Sequence, residues 1–371
     1  MTQLKQINIF LTLLLTVSLF ACDTSNTSDS LSLEKQQLGK QIFFDTNLST
    51  PPGQACSSCH LPSAGFADPD REIPVSRGVH PDRFGNRNTP TAAYSSFSPE
   101  FHLDTEEGIF FGGQFLDGRS ATLEDQAKQP FLNPVEMANA DATSVVEKVS
   151  NSDYASDFKA IYGETIFNDV DLAFDKIADA IASFERSKEV SPFSSKFDAF
   201  IAGDTNLTIQ EIRGLDLFNR QDKGNCAACH PSTNENNDIP ALFTDFSFDN
   251  LGTPANPVSP FLSQDLEFNP DGANFIDFGL GGELADISEN GKFKVPTLRN
   301  ISITGPYMHN GVFNTLEEVL DFYNERNNDG VIPEVANNVN TEELGNLGLS
   351  AQEKNDIIAF LKTLTDGYNN E

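Results

Sequence analysis

The chain has 371 residues, with 24 basic against 55 acidic side chains and a formal net charge of −31; this excludes a nucleic-acid binder and fits either plain solubility or the steering of basic partners. Hydrophobic residues make up 38% of it, which is enough for sizeable cores, and the length suits two domains better than one. Phe supplies 31 residues and Trp none.

In chain order, Lys5 and the apolar run Ile7 to Phe20 come first. The run is too short to span a bilayer comfortably and reads as a signal peptide, residues 1–21. Leu19-Phe20-Ala21-Cys22 resembles a bacterial lipobox, with Cys22 lipidated as the first mature residue; plain cleavage near Ala21 is the alternative. Residues 22–32, rich in Ser, Thr, Asn and Asp, read as a flexible tether. The expected location is the periplasm, with a lipid anchor at Cys22 as the sole link to a bacterial membrane.

Two phrases of one kind follow. Leu38-Gly39-Lys40-Gln41-Ile42-Phe43-Phe44 leads into Cys56-Ser57-Ser58-Cys59-His60, and Arg213-Gly214-Leu215-Asp216-Leu217-Phe218 leads into Cys226-Ala227-Ala228-Cys229-His230. C-x-x-C-H is the attachment signature of c-type haem. Two thiols one helical turn apart add across the haem vinyl groups, and the histidine supplies the proximal nitrogen to iron. A zinc or redox C-x-x-C pair with a chance histidine is the rival reading, and duplication argues against it. The expected cofactors are two covalently bound haem c groups, on Cys56, Cys59 and His60 and on Cys226, Cys229 and His230. With Cys22 given to lipid, no cysteine is left for a disulfide.

The motifs lie 170 residues apart, an internal repeat of domain size. We therefore expect a mainly α fold of two cytochrome-c-like domains, each with one covalent haem and long loops: residues 33–188 and 189–371. Leu172, Phe174, Ile177, Ala178, Ile181 and Phe184 recur at helical period and predict a helix closing the first domain. Ser187 to Ser195, with Pro192, reads as the linker. Asp249 to Phe278, with its Gly and Pro, predicts a long loop. Ile357, Ile358, Phe360, Leu361 and Leu364 predict a last helix.

Further phrases stand in order: Phe43-Phe44-Asp45, Gly65-Phe66, Arg87-Asn88-Thr89-Pro90-Thr91, Asp117-Gly118-Arg119, Leu123-Glu124-Asp125-Gln126-Ala127, Asn133-Pro134-Val135-Glu136-Met137, Val295-Pro296-Thr297-Leu298-Arg299-Asn300 and Pro306-Tyr307-Met308-His309-Asn310-Gly311. In these the chain resembles the bacterial di-haem cytochrome c peroxidase and MauG family, from about Leu33 to Tyr368. The resemblance implies a peroxide site at the N-terminal haem, with Glu136 and Gln126 on its distal side. A carboxylate there can shuttle a proton between the peroxide oxygens, and an amide can orient the bound molecule. On pattern alone, Glu136 also reads as an acid favoured in a helix first turn just after Pro134.

The resemblance places His80 as a displaceable sixth ligand of the N-terminal haem; a solvated loop histidine is the plainer reading. His102 matches no family position and reads as structural. Fourteen residues after His309, where peroxidases of the family carry Met and MauG-like members Tyr, stands Tyr323. Thr315 with Glu318 forms a capping box, and Leu316, Val319, Leu320 and Tyr323 share a helical face. Tyr323 is thus the expected axial ligand of the C-terminal haem, with Met308 as the alternative. The family's inter-haem Trp is missing. The chain reads Phe115-Leu116-Asp117-Gly118-Arg119 there, so coupling must run through a Phe, a Tyr or propionate edges.

The resemblance also implies Ca²⁺ held by Asn88, Thr304 and Pro306, oxygen donors of the kind calcium takes; the plainer reading has Asn88 capping a turn before Pro90. The expected enzyme is a cytochrome-c peroxidase-type oxidoreductase. It would reduce hydrogen peroxide to water with electrons from a small c-type cytochrome or cupredoxin. A MauG-like oxidase modifying a partner protein and a pure electron-transfer di-haem cytochrome are the alternatives. A homodimer is open as the assembly.

Overall fold

The computed structural model describes residues 24–234 and 239–369; the signal peptide and Cys22 lie outside them. Among the described residues eleven α-helices carry the fold: α1 (Thr24–Phe43), α2 (Cys56–Cys59), α3 (Leu123–Leu132), α4 (Ala142–Ser150), α5 (Ala155–Tyr162), α6 (Val170–Glu185), α7 (Lys196–Ala202), α8 (Ile209–Asn219), α9 (Gly279–Leu284), α10 (Leu316–Glu325) and α11 (Ala351–Lys362). Sheet among the described residues consists of two antiparallel ribbons, β1 (His102–Asp104) with β2 (Ile109–Phe111) and β3 (Phe248–Asp249) with β4 (Phe293–Lys294). None of these helices is long and apolar enough to cross a membrane. α1 starts at Thr24, so most of the segment read as a tether is helix.

The repeat seen in sequence has a structural counterpart. α1 packs across α6, and α8 packs across α11. Each crossing is set by the lead-in glycine. A Cβ on Gly39 would lie 1.8 Å from the Ala180 carbonyl oxygen, and one on Gly214 would lie 1.9 Å from that of Asp356. Only a residue without a side chain lets the two backbones approach so closely. The phenylalanine that follows each glycine then faces its own core.

Two apolar clusters result. One joins Leu38, Ile42, Phe43, Phe131, Val145, Phe158, Ile177, Phe184 and Val190; the other joins Phe197, Leu217, Phe218, Phe243, Ile357, Phe360 and Leu364. Phe43 meets Phe184 edge-on at 5.2 Å, and Phe218 meets Phe360 likewise at 5.2 Å; such tilted pairs add to simple burial. Ile177, Ile181 and Phe184 face the core as their period predicts, but Leu172, assigned to the same stripe, is exposed. It sits in the first turn of α6, where the helix has not yet reached the core.

The segment after α6 is packed, with Val190 and Ser191 buried. Ser191 Oγ accepts from Tyr94 N at 3.0 Å, and the Tyr94 hydroxyl donates to Asp366 at 2.8 Å. Arg299, 1% exposed, pairs with Asp198 at 2.9 Å and lies 4.5 Å over the Phe193 ring. A second seam runs through Arg87, which bonds Asp277 through Nε at 2.6 Å and Asp117 through Nη1 at 2.5 Å. The long loop at 249–278 is held by two hydrogen bonds between Gln264 and the Phe84 backbone.

Candidate functional site

Between the two cores lies one continuous cavity of about 460 Å³, lined by Cys56, Cys59 and His60 at one end and Cys226, Cys229 and His230 at the other. The first motif folds as a single helical turn, α2, ended by His60, whose N–H donates to the Cys56 carbonyl at 2.9 Å. The second forms a 3₁₀ turn, and His230 N donates to Cys226 O at 2.8 Å. Both cysteines of each motif thus face the cavity. Burial pushes all four thiols up to about 12, so they are neutral.

The histidines are aimed in matching ways. His60 Nδ1 lies 3.0 Å from Phe66 O, and His230 Nδ1 lies 2.8 Å from Phe243 O. A carbonyl can only accept, so each Nδ1 carries the proton and each Nε2 is left with its lone pair. Burial lowers both imidazoles below their ordinary value, His230 to about 4, which keeps them neutral. A neutral imidazole fixed through Nδ1–H to a carbonyl is the form that ligates a metal through Nε2. The donors therefore fit haem iron at both ends.

Glu136 and Gln126 line the same cavity near the first motif. Glu136 is not in a helix first turn, as its place after Pro134 predicted. α3 ends at Leu132, Asn133 caps it, and residues 134–137 form a turn closed by Glu136 N and Ala138 N on the Asn133 carbonyl. Asn133 Nδ2 donates to the Glu136 carboxylate at 2.8 Å. Burial raises the Glu136 carboxyl above the usual carboxylate range, against the opposing pull of Arg119 and Asn133. Gln126 comes from α3 and lines the cavity.

The other predicted residues divide. His80 is half-buried and does not line the cavity, although its neighbour Val79 donates to the Glu136 carbonyl at 2.8 Å. Tyr323, on α10, lines the cavity, and the Thr315–Glu318 capping box that aims the helix is formed. Burial, with the thiols of Cys226 and Cys229 and the carboxylate of Asp249 nearby, raises the Tyr323 phenol above its ordinary value. Met308 lines the cavity as well. His102 is exposed on β1, stacked on Phe111.

Leu116 lines the cavity, and its carbonyl accepts from Lys294 N at 2.8 Å. Phe293, next to Lys294, stacks on His309 with ring centroids 3.8 Å apart. Asn88, Thr304 and Pro306 line the cavity and also a small crevice beside it with Asp68 and Asp70. Asn88 Nδ2 donates to Pro74 O at 3.1 Å, which leaves its carbonyl oxygen as the free end.

Comparison with known proteins agrees with this architecture. The di-haem cytochrome c peroxidase family profile matches residues 33–206. The chain is 38% identical to the methylamine utilization protein MauG of Paracoccus denitrificans, covering 89% of this chain and 88% of that one. It is 34% identical to the cytochrome c551 peroxidase of Nitrosomonas europaea, covering 89% and 79%. The chain belongs to the di-haem cytochrome c peroxidase and MauG family. Its cofactors are two haems and its class is oxidoreductase. Among solved structures, the diheme peroxidase BthA of Burkholderia thailandensis is similar with a TM-score of 0.76 and 31% identity, covering 90% of this chain and 86% of that one. A MauG-like protein associated with microbial copper homeostasis gives a TM-score of 0.68 at 31% identity, covering 90% and 89%.

Sequence reasoning missed three groups that line this cavity: Arg119 beside Glu136, Lys294 and Glu185. Arg119 was visible only as part of a phrase. Lys294 and Glu185 carry no local signal, because a lysine before an apolar pair and a glutamate at a helix end are ordinary surface patterns.

Proposed function

We propose that this protein is a periplasmic di-haem peroxidase that reduces hydrogen peroxide to water with electrons from a small c-type cytochrome or cupredoxin. The carrying observation is that Glu136 and Gln126 line the first-motif end of a cavity shared with a second haem motif; a pure electron wire needs no distal acid. Cys56, Cys59, Cys226 and Cys229 would hold the haems through thioethers, and His60 and His230 would bind iron through Nε2. The haem supplies the iron that exchanges electrons with peroxide. Glu136 holds and moves the proton between the peroxide oxygens, Gln126 orients the molecule, and Arg119 limits how far burial raises the carboxyl. Tyr323, on the cavity wall from α10, would ligate the second iron. His80 would reach the first iron only if its loop rearranged.

Oxygen donors at Asn88, Thr304 and Pro306, with Asp68 and Asp70 on the same crevice, support a Ca²⁺ site. Lipid at Cys22 would keep the protein at the membrane. The net charge of −31 supports a basic electron donor, whose capture weakens as salt rises.

One observation favours a second reading. Tyr323 rather than Met faces the cavity on α10, and MauG of Paracoccus denitrificans is among the relatives; both support a MauG-like oxidase acting on a partner protein. Steady peroxide-dependent oxidation of reduced cytochrome c by the holoprotein is the expected result. Negligible turnover alongside stoichiometric oxidation of a partner protein would overturn the peroxidase reading in favour of the second.

A further inference from the structure

Glu185 is the last residue of α6 and only 6% exposed, yet its Oε2 has no hydrogen-bond partner. It lines the cavity at the first-motif end, with Cys56, Ile181, Leu123 and Gln126. A buried carboxyl is costly unless it is paired or protonated. The natural partner would be Arg186, but that guanidinium turns outward and holds Glu124 at 2.6 Å and 3.1 Å. Lys40, from α1, pairs instead with Glu189 at 2.6 Å. The carboxyl is thus left facing the space beside Cys56, where the edge of the first haem would be attached.

Burial pushes Glu185 up to about 8, with Arg186 opposing and Glu124 adding to the rise. The charged and titratable groups facing it are Arg186, Glu124 and Cys56. Once Cys56 is bonded to haem it no longer titrates, and the changing charge next to Glu185 is that of the haem itself. A neutral acid beside a redox centre responds to it through simple Coulomb attraction: added positive charge favours the carboxylate, and its removal favours the acid.

We propose that Glu185 is a proton-holding group of the first haem pocket, protonated while that haem is reduced and ionised when it is oxidised. This rests on the di-haem reading given above. Each electron entering the haem brings one proton from water onto the carboxyl, and each electron leaving returns it. Peroxide, the oxidant, takes two electrons and two protons to give two waters. Glu136 moves a proton between the two oxygens and adds none, so protons must be supplied from elsewhere. Glu185 stores one beside the electron it accompanies, behind the half-exposed Arg186–Glu124 pair.

The test is potentiometric titration of the holoprotein across a pH range bracketing 8, following both irons by EPR. In the wild type the first haem's potential should fall as pH rises, because reduction takes up a proton. Glu185→Gln is neutral at every pH and keeps the shape. Its first-haem potential should match wild type at the acid end and lie above it at the alkaline end. Glu185→Asp should restore part of the slope, and the second haem's pH dependence should be the same in all three proteins. Equal slopes in wild type and Glu185→Gln, or no pH dependence in the wild type, would overturn the proposal. Mass spectrometry showing two covalent haems on the same samples separates that failure from failure of the di-haem reading.

Discussion

Glu136 and Gln126 are ten residues apart in the chain and reach one end of the cavity because α3 stops at Leu132 and turns back on Asn133. Replacing Glu136 by Gln keeps the volume and removes the titrating group. Both haem spectra should survive, while peroxide turnover should fall roughly 10²–10⁴-fold, the range for a general acid–base group; stopped-flow kinetics on the two proteins measures it. In the wild type, burial raises this carboxyl, so the acid limb of the rate profile should lie above the ordinary carboxylate range. That limb should be missing in Glu136→Gln. Tyr323 makes a sharper case. Tyr323→Phe removes only the hydroxyl oxygen and keeps the ring on the cavity wall. If the oxygen binds the second iron, EPR should show that haem moving toward high spin and its potential should rise, since a hard anionic ligand stabilises the oxidised state. An unchanged signal would transfer the axial role to Met308, which lines the same cavity.

At the scale of elements, the pairs α1–α6 and α8–α11 are two versions of one helix crossing, each built on a glycine. Gly39→Ala would drive a methyl into the Ala180 carbonyl and Gly214→Ala into that of Asp356, at 1.8 Å and 1.9 Å. Helix propensity alone would favour alanine by about 1 kcal/mol. Overpacking opposes this, and backbone atoms cannot swing aside as a side chain would, so each variant should lose about 1–3 kcal/mol net. Chemical denaturation of the two holoproteins checks this, and an increase in stability in either would refute the shared crossing. α10 shows how a helix carries one side chain to the cavity. Its capping box fixes where the helix begins, Leu316 and Leu320 anchor it to the second core, and Tyr323 is carried to the cavity wall.

At the scale of the molecule, the two cores are joined by polar seams rather than by a shared apolar core. Arg87 links Asp117 and Asp277, whose side chains are 7% and 6% exposed. Burial raises the Asp277 carboxyl, but Arg87 outweighs it and the result lies below the ordinary value of 3.8. A carboxyl depressed in the folded state contributes stability that is fully present above its unfolded value and is lost as pH falls through the folded one. Asp277→Asn should therefore be less stable than wild type at neutral pH. The difference should shrink steadily below about pH 4, as thermal melts at stepped pH would show; a constant difference would mean that the pair has no electrostatic role.

The sequence by itself determined the cofactor motifs, the repeat of the helix crossing and the mainly helical class, because these are written in local spacing: C-x-x-C-H, apolar residues at helical period, and phrases in a fixed order. The lead-in glycines were also legible, though their purpose was not, since a close approach involves a partner helix about 140 residues away. Tertiary structure alone decided that both motifs share one cavity, that His80 stands outside it, that Leu172 faces solvent and that α1 extends into the segment read as a tether. It alone left Glu185 buried without a partner. Burial and pairing depend on which distant segments meet. A glutamate followed by an arginine looks like surface until Arg186 turns to Glu124 and leaves its neighbour unpaired on the cavity wall.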